Sequence, residues 1–278
     1  MNHTVEQLES IARNIRRDIV QMIGYGKTGH FGGACSLADI VAVLYFYKMK
    51  YNSTNPKLPE RDRFLLSKAH SAPVQYAALA LAGFFPKAEL SSLKKIGSNL
   101  QGHPDMLKLP GIEANTGSLG QGLSIAAGIA SAGKIDQLNY KTYCVIGDGE
   151  MAEGQIWEAS MAASCYKLDN LVAILDRNGL QATGCIAERF NSGPVVQKWE
   201  SFGWKVFECN GHDIQELIDV FDQADRVKGR PVMVVANTVK GKGISFAEHN
   251  VAFHNGAMTK EQYDQALTEL SEAGGTKS

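Results

Sequence analysis

The chain has 278 residues, 44% of them hydrophobic and 21% charged, with a formal net charge of −1. That length can bury a sizeable core, and the composition is that of an ordinary soluble globular protein. The charge balance gives no reason to expect nucleic acid or an anionic membrane as partner, and no apolar run approaches the ~20 residues that span a bilayer.

The N-terminus lacks both the basic start and the apolar stretch of a signal peptide, which makes the cytoplasm the expected location. An amphipathic helix is predicted over 4–24, where Val5, Leu8, Ile11, Ala12, Ile15, Ile19, Met22 and Ile23 recur at helical spacing. A glycine-rich loop follows, Thr28-Gly-His-Phe-Gly-Gly33. Ser36 reads as the N-cap of a helix through about Tyr47, with Asp39 placed to favour its first turn. The polar, proline-bearing stretch 51–62 reads as loop. A short strand over 63–67 ends at Lys68-Ala-His70, and a helix is expected over 74–82. From Gly97 to Gly122 the chain is irregular and rich in Gly, Pro and His. That is long for an idle connection, and long ordered loops of this kind are often functional. A small-residue helix over 123–132 comes next.

The later half alternates regularly: strand 142–146, helix 152–167, strand 171–176, loop to about Asn191, helix 194–202, strand 204–208. Asp213 reads as the N-cap of a helix over 214–227, with His212 helping to order its start. Strand 231–236, a Gly- and His-bearing loop over 240–256, a helix over 259–273 and a frayed tail complete the chain. Strands alternating with helices imply an α/β fold, a mostly parallel sheet with helices on both faces. A single domain over 1–278 is expected. The five cysteines are scattered and free of CxxC spacing, so they read as structural rather than metal-binding or disulfide-forming.

Ligands of open parallel sheets bind beyond the carboxyl ends of the strands. Asp148, in Gly147-Asp-Gly149, and Asn178, in Asn178-Gly179, follow predicted strands, as do Lys68 to His70 and the 240–256 loop, so all of them could converge there. A carboxylate and an amide oxygen could hold one hard cation such as Mg²⁺, with the Leu180 carbonyl as a third ligand and phosphate oxygens completing the shell. By composition alone both pieces also read as tight turns. Neither is a P-loop or a GxGxxG fingerprint. The short Lys240-Gly-Lys242 piece carries no weight as a basic patch. His30, His103 and His254 sit in loops beside or near Gly, and His70 in one near Pro73. One loop histidine is usually just solvated, but four suggest a polar site handling hydroxyls or phosphates near neutral pH. No HxxxH or HExxH pair supports zinc.

Together these pieces resemble the N-terminal, diphosphate-binding half of the transketolase family. Gly147-Asp148-Gly149 with Asn178 resembles the thiamine-diphosphate signature, and Thr28-Gly-His-Phe-Gly-Gly the family's Ser-Gly-His-Pro-Gly loop. Arg61-Asp-Arg-Phe-Leu-Leu-Ser-Lys-Ala-His, Gly102-His-Pro, Thr116-Gly-Ser-Leu-Gly-Gln-Gly and His254-Asn-Gly follow in the expected order. The resemblance implies thiamine diphosphate with Mg²⁺ (or Ca²⁺ or Mn²⁺), the ion on Asp148, Asn178 and the Leu180 carbonyl. It implies cofactor contacts from His70, Gly117, Ser118, Leu119, Gly149, Glu153, Asn178 and His254. His30, His103 and His254 would act on the sugar hydroxyls and move protons. Glu153 and Glu158 resemble an acidic pair near the subunit interface, or are simply dipole-favoured, solvated positions in a helix.

Phe31 stands where the family has proline, Ala69 where it has glycine, and Met258 near a common proline. The family also continues into a pyrimidine-binding domain bearing the activating glutamate and the arginines for sugar phosphate, which this chain does not reach. The resemblance therefore implies the N-terminal subunit of a split transketolase. It would transfer a two-carbon ketol unit between ketose and aldose only with a separately encoded C-terminal subunit, in a heterotetramer. The alternatives are a subunit of another thiamine-diphosphate enzyme, similar to 1-deoxyxylulose-phosphate synthase, or a non-catalytic homologue.

Overall fold

A computed structural model describes residues 3–272. Helix α1 (Val5–Ile23) opens on a reciprocal cap. The Thr4 hydroxyl accepts from the Gln7 amide, and the Gln7 side chain accepts from the Thr4 amide. Its apolar face buries Leu8, Ala12, Ile15 and Ile19, and it stops at Gly24, whose φ of 72° a side chain would disfavour.

The single helix expected over 36–47 is instead three pieces: α2 (Gly32–Cys35), α3 (Ala38–Val43) and one wide turn, Leu44–Lys48. Ser36 caps nothing, because its hydroxyl is fully buried and donates to Asp176 across 2.7 Å. Asp39 does sit in the first turn of α3, as expected, and also forms a buried ion pair with Arg16.

Strand β1 (Arg63–Leu66) leads through a short turn, Ala69–Ser71, into α4 (Ala72–Leu81). After the long loop, α5 (Gln121–Ile135), β2 (Thr142–Gly147), α6 (Gly154–Cys165) and β3 (Leu171–Arg177) follow. The expected loop after β3 holds a small hairpin, β4 (Leu180–Gln181) with β5 (Gly184–Cys185), and one turn of helix, α7 (Ile186–Arg189). Then come α8 (Val195–Ser201), β6 (Lys205–Asn210), α9 (Ile214–Arg226), β7 (Val232–Asn237) and α10 (Lys260–Glu272). Residue 273, where the last helix was expected to end, and the tail lie outside the described residues.

The main sheet is parallel throughout, in the order β1-β2-β3-β7-β6. Side chains alternate strictly between its faces. Tyr143, Val145, Val172, Ile174, Val232 and Val234 pack with α1, α3, α4 and α9. Cys144, Ile146, Ala173, Leu175, Met233 and Val235 pack with α5, α6 and α8. Both faces being covered explains why β2 and β3 read as continuous apolar runs. Asp213 caps α9 by accepting from the Glu216 amide at 2.9 Å, as its position before that helix predicts. No described helix is long and apolar enough to cross a membrane.

Candidate active site

Parallel strands deliver their carboxyl ends to one rim, and there the chain forms a cleft of about 440 Å³. Its walls include His30, Lys68, His70, His103, Asp148, Asn178, Lys240 and His254. Gly117, Leu119, Gly149 and Leu180 also line it. Segments more than two hundred residues apart in sequence thus share one surface.

Asp148 ties two strand ends together. Its Oδ2 accepts from the amides of Asn178 at 2.9 Å and Gly179 at 2.6 Å, while Oδ1 accepts from Gly149 at 2.9 Å. A φ of 75° at Gly179 turns the chain there. Asp148 is buried and forms no ion pair among the described residues. Burial, then the neighbouring Asp176 charge, pushes its carboxyl up to about 6. A buried carboxylate without a counter-ion is what a cation would relieve. With the Asn178 side-chain oxygen and the Leu180 carbonyl close in sequence, the oxygen donors fit a hard divalent ion. Among the described residues no three His, Cys, Asp or Glu side chains form a metal-binding group.

Asp176 was not singled out by the sequence, and Lys68 was expected at this rim only as part of Lys68 to His70, with no role of its own. Asp176 is fully buried at the end of β3 and pairs with Lys68. It also accepts from Ser36, Thr238 and the Asn178 side-chain amide. Burial opposes its ionisation, but Lys68 and these donors together hold it below the ordinary carboxylate value. Lys68 donates as well to the Gly33 carbonyl at 2.9 Å, joining the 28–36 loop to the sheet. An acid at the end of an otherwise apolar strand was the available signal.

Glu150 was also missed, and Lys240 was expected here only as the start of the 240–256 loop. Glu150 accepts from the Ser67 hydroxyl, from Gly120 N at 2.8 Å and from Gly147 N at 3.0 Å, so it pins the 116–120 loop beside the cleft. Lys240 donates to the Leu180 carbonyl at 2.7 Å and contacts His254 Nδ1 at 3.0 Å. Burial, then Lys68, pulls its ammonium down to about 8.

Three histidines form a triangle: ring centroids of His30, His70 and His254 lie 5.0, 5.4 and 5.3 Å apart. Burial chiefly, with the nearby lysines and histidines, lowers His30 and His254 to about 4 and His70 to about 2. All three rings are therefore neutral near pH 7, each with one N–H and one acceptor nitrogen, that of His254 being the Nδ1 that meets Lys240. His103 packs against Gly117, where an added Cβ would meet its ring at 3.4 Å.

Two expected cofactor contacts lie outside this cleft. Ser118 is exposed, and its carbonyl accepts from Gln121 at the start of α5. Glu153 is exposed at the N-cap of α6, while Glu150 is the acid that faces inward. Glu158 is exposed on the same helix. His212 orders no helix start. It bridges Asp39 (Nδ1 to Oδ2, 2.7 Å) and Val239, whose amide donates to Nε2 at 2.8 Å.

The family described as transketolase, thiamine diphosphate binding domain, matches residues 6–272. The 6-deoxy-6-sulfo-D-fructose transketolase subunit SqwG of Clostridium sp. (strain MSTE9) is 45% identical over 267 residues, 96% of this chain and 97% of that protein. An apulose-4-phosphate transketolase subunit from Phocaeicola vulgatus is 42% identical over 268 residues, 96% of this chain and 95% of that protein. The solved transketolase from Leishmania mexicana superposes with a TM-score of 0.88 at 32% identity, covering 98% of this chain. The chain spans only 42% of that enzyme's length.

Proposed function

The chain belongs to the transketolase thiamine diphosphate binding domain family, and from that premise we propose that it is the N-terminal subunit of a split, thiamine-diphosphate-dependent transketolase. It works with a separately encoded C-terminal subunit, in a heterotetramer of the cytoplasm, to transfer a two-carbon ketol unit between sugars. One observation carries this reading. The chain matches two proteins named as transketolase subunits nearly end to end, yet covers 42% of a solved transketolase. Both of those proteins act, by name, on sugars bearing a sulfo or phosphate group, so an anionic ketose is the proposed substrate class.

Asp148, the Asn178 side-chain oxygen and the Leu180 carbonyl would hold the divalent ion. Gly149, His70, His254 and Lys240 would receive the diphosphate, and Gly117 with Leu119 the thiamine rings. When bound, thiamine diphosphate supplies a nucleophilic carbon and an electron sink for breaking the bond beside a ketone. The protein's own share is orientation and proton handling. His30, His103 and His254 face the same space; the neutral ring of His30 can accept a hydroxyl proton at one nitrogen while donating from the other, and His254, whose Nδ1 meets Lys240, donates from Nε2. The Lys68–Asp176 pair holds the loop bearing His30 against the strand ends.

The test is reconstitution. The purified chain alone transfers no ketol unit, and adding the C-terminal subunit restores transfer. Asp148→Asn in the reconstituted enzyme lowers thiamine diphosphate affinity at least a hundredfold, read by calorimetric titration with Mg²⁺. Robust transfer by the lone chain overturns the split-enzyme reading.

A further inference from the structure

Two loops of the cleft carry the same pair of residues in opposite order, His30-Phe31 on one and Phe253-His254 on the other. Like residues face each other. The His30 and His254 rings meet edge to face at the cleft wall, with centroids 5.4 Å apart. The Phe31 and Phe253 rings lie 5.1 Å apart within the core, both buried. Phe246 extends the cluster, 5.2 Å from Phe253.

The backbones of the two loops are joined at short range. Gly29 and Gly256 exchange amide bonds in both directions, at 3.0 and 3.2 Å. The Gly26 amide donates to the Met258 carbonyl at 2.9 Å. Gly32 lies so close that a Cβ there would meet the Phe253 carbonyl oxygen at 2.7 Å. The anchoring of the loops is unequal, however. Lys68 and Asp176 tie the 28–36 loop to the strand ends through Gly33 and Ser36. The 250–256 segment is braced within itself, Asn250 accepting from the Ala252 amide and donating to the Phe246 carbonyl. It meets the first loop through Gly256 and the phenylalanine rings.

Phe31 is one of the positions where the sequence departs from the family pattern, which has proline. Its φ of −85° is near the value that a proline ring imposes. The course of the backbone is therefore kept, while a compact ring gives way to a side chain that reaches the second loop. Tilted aromatic rings in close contact resist sliding, because a shift forfeits both packing and the favoured ring geometry. Holding Phe31 against Phe253 thus holds the histidine bonded to each.

Resting on the transketolase reading above, we propose that Phe31 and Phe253 form an aromatic clasp that positions His30 and His254 for the sugar hydroxyls. Both phenylalanines are positioning residues. Neither lines the cleft, and each acts through the adjacent histidine. The clasp couples the loops, so loosening one side displaces the histidine on the other.

The experiment compares Phe31→Leu, Phe253→Leu and the double variant with Phe221→Leu, a control at an equally buried ring in α9. The reconstituted complex is assayed at saturating thiamine diphosphate and Mg²⁺, with fructose 6-phosphate or L-erythrulose as donor. In each clasp variant kcat falls about tenfold while KM for the donor stays within about twofold. The double variant falls no further than the slower single, since either change opens the clasp. Losses that multiply to about a hundredfold overturn the proposal. So does the parent kcat in the single variants, or an equal loss in F221L, which should keep the parent value. Amide exchange of the chain itself gives a reading independent of activity. Gly256 exchanges about fivefold faster in F31L, and Gly29 in F253L, each change being read on the opposite loop. Unaltered exchange across the junction overturns the clasp. Either single variant supplies both readings, so one that does not fold leaves the other to decide. If the parent complex transfers nothing from either donor, the functional reading fails, and amide exchange still decides whether the loops are clasped.

Discussion

Lys240 Nζ lies 3.0 Å from Nδ1 of His254. An ammonium has only protons to give, so Nδ1 must accept and the ring proton resides on Nε2. Lys240 is 3% exposed and donates also to the Leu180 carbonyl, so one buried cation sets both a tautomer and the local charge. Lys240→Met should weaken thiamine diphosphate binding to the reconstituted enzyme ten- to a hundredfold, the loss of about 1.5–3 kcal/mol for one charge-assisted contact. Its thermal midpoint should not fall, since the substitution removes a costly buried charge. Calorimetric titration and a thermal scan check both; undiminished affinity would exclude Lys240 from the cofactor's contacts.

Lys68→Met strands Asp176 in the interior with three neutral donors and no cation. Leaving a buried charge unpaired costs about 3–5 kcal/mol. Equilibrium urea unfolding at pH 7 should register that loss, and adding Asp176→Asn to the same chain should recover more than half of it. Because Asp176 is held below its unfolded value of 3.8, its stabilising contribution is present at neutral pH. It disappears as pH falls through the folded-state value. Equal stability of single and double variants would count against the pair.

His30 carries a pH dependence of known sign. Its imidazole is lowered from 6.5 to about 4, so between those values the unfolded chain binds a proton that the folded chain refuses. Stability is therefore fully present above pH 6.5 and falls as the solution is acidified toward pH 4. His30→Asn should reduce the protons taken up on unfolding near pH 5 by close to one. Unfolding free energies measured across pH 4–7.5 in both proteins give the slopes, and identical slopes would refute the shift.

The two hydrogen bonds of His212 can be removed or mimicked. His212→Phe leaves the Val239 amide and one Asp39 oxygen each short of a partner, at a cost of about 2–3 kcal/mol. His212→Gln can both accept from Val239 and donate to Asp39, so it should regain at least half. Amide hydrogen exchange at Val239, one residue before Lys240, should quicken in the Phe variant and slow again in the Gln variant. Exchange at Val239 unaffected by the Phe variant would dismiss the bridge.

The sheet was readable because two-sided burial writes each strand as an apolar run, and Asp148 and Asn178 were readable because chemistry sits where such runs stop. Ser36 was misread, and the burial of Asp39 went unseen, for a physical reason. A polar residue at a helix start is ordinarily satisfied locally, but Ser36 finds its partner 140 positions away and Asp39 is held by His212 at a separation of 173. Lys240 looked like a fragment of surface charge, since nothing in Lys-Gly-Lys states that one lysine is buried and the other is not. Glu153 and Glu150 sit three residues apart in one acidic run, and only the turn that follows β2 decides which one faces inward. Local pattern fixes elements; it does not report which distant groups meet.

Because all five strands of the main sheet run one way, the chemistry hangs from a single edge of the molecule. The other edge, where the chain enters β2, β3 and β7 through 136–141, 166–170 and 227–231, contributes nothing to the cleft. A fluorophore, an affinity handle or an immobilising bead attached at the exposed Lys228 would stand at the far end from the reacting sugars. The enzyme can therefore be held by its quiet end while its working end is watched.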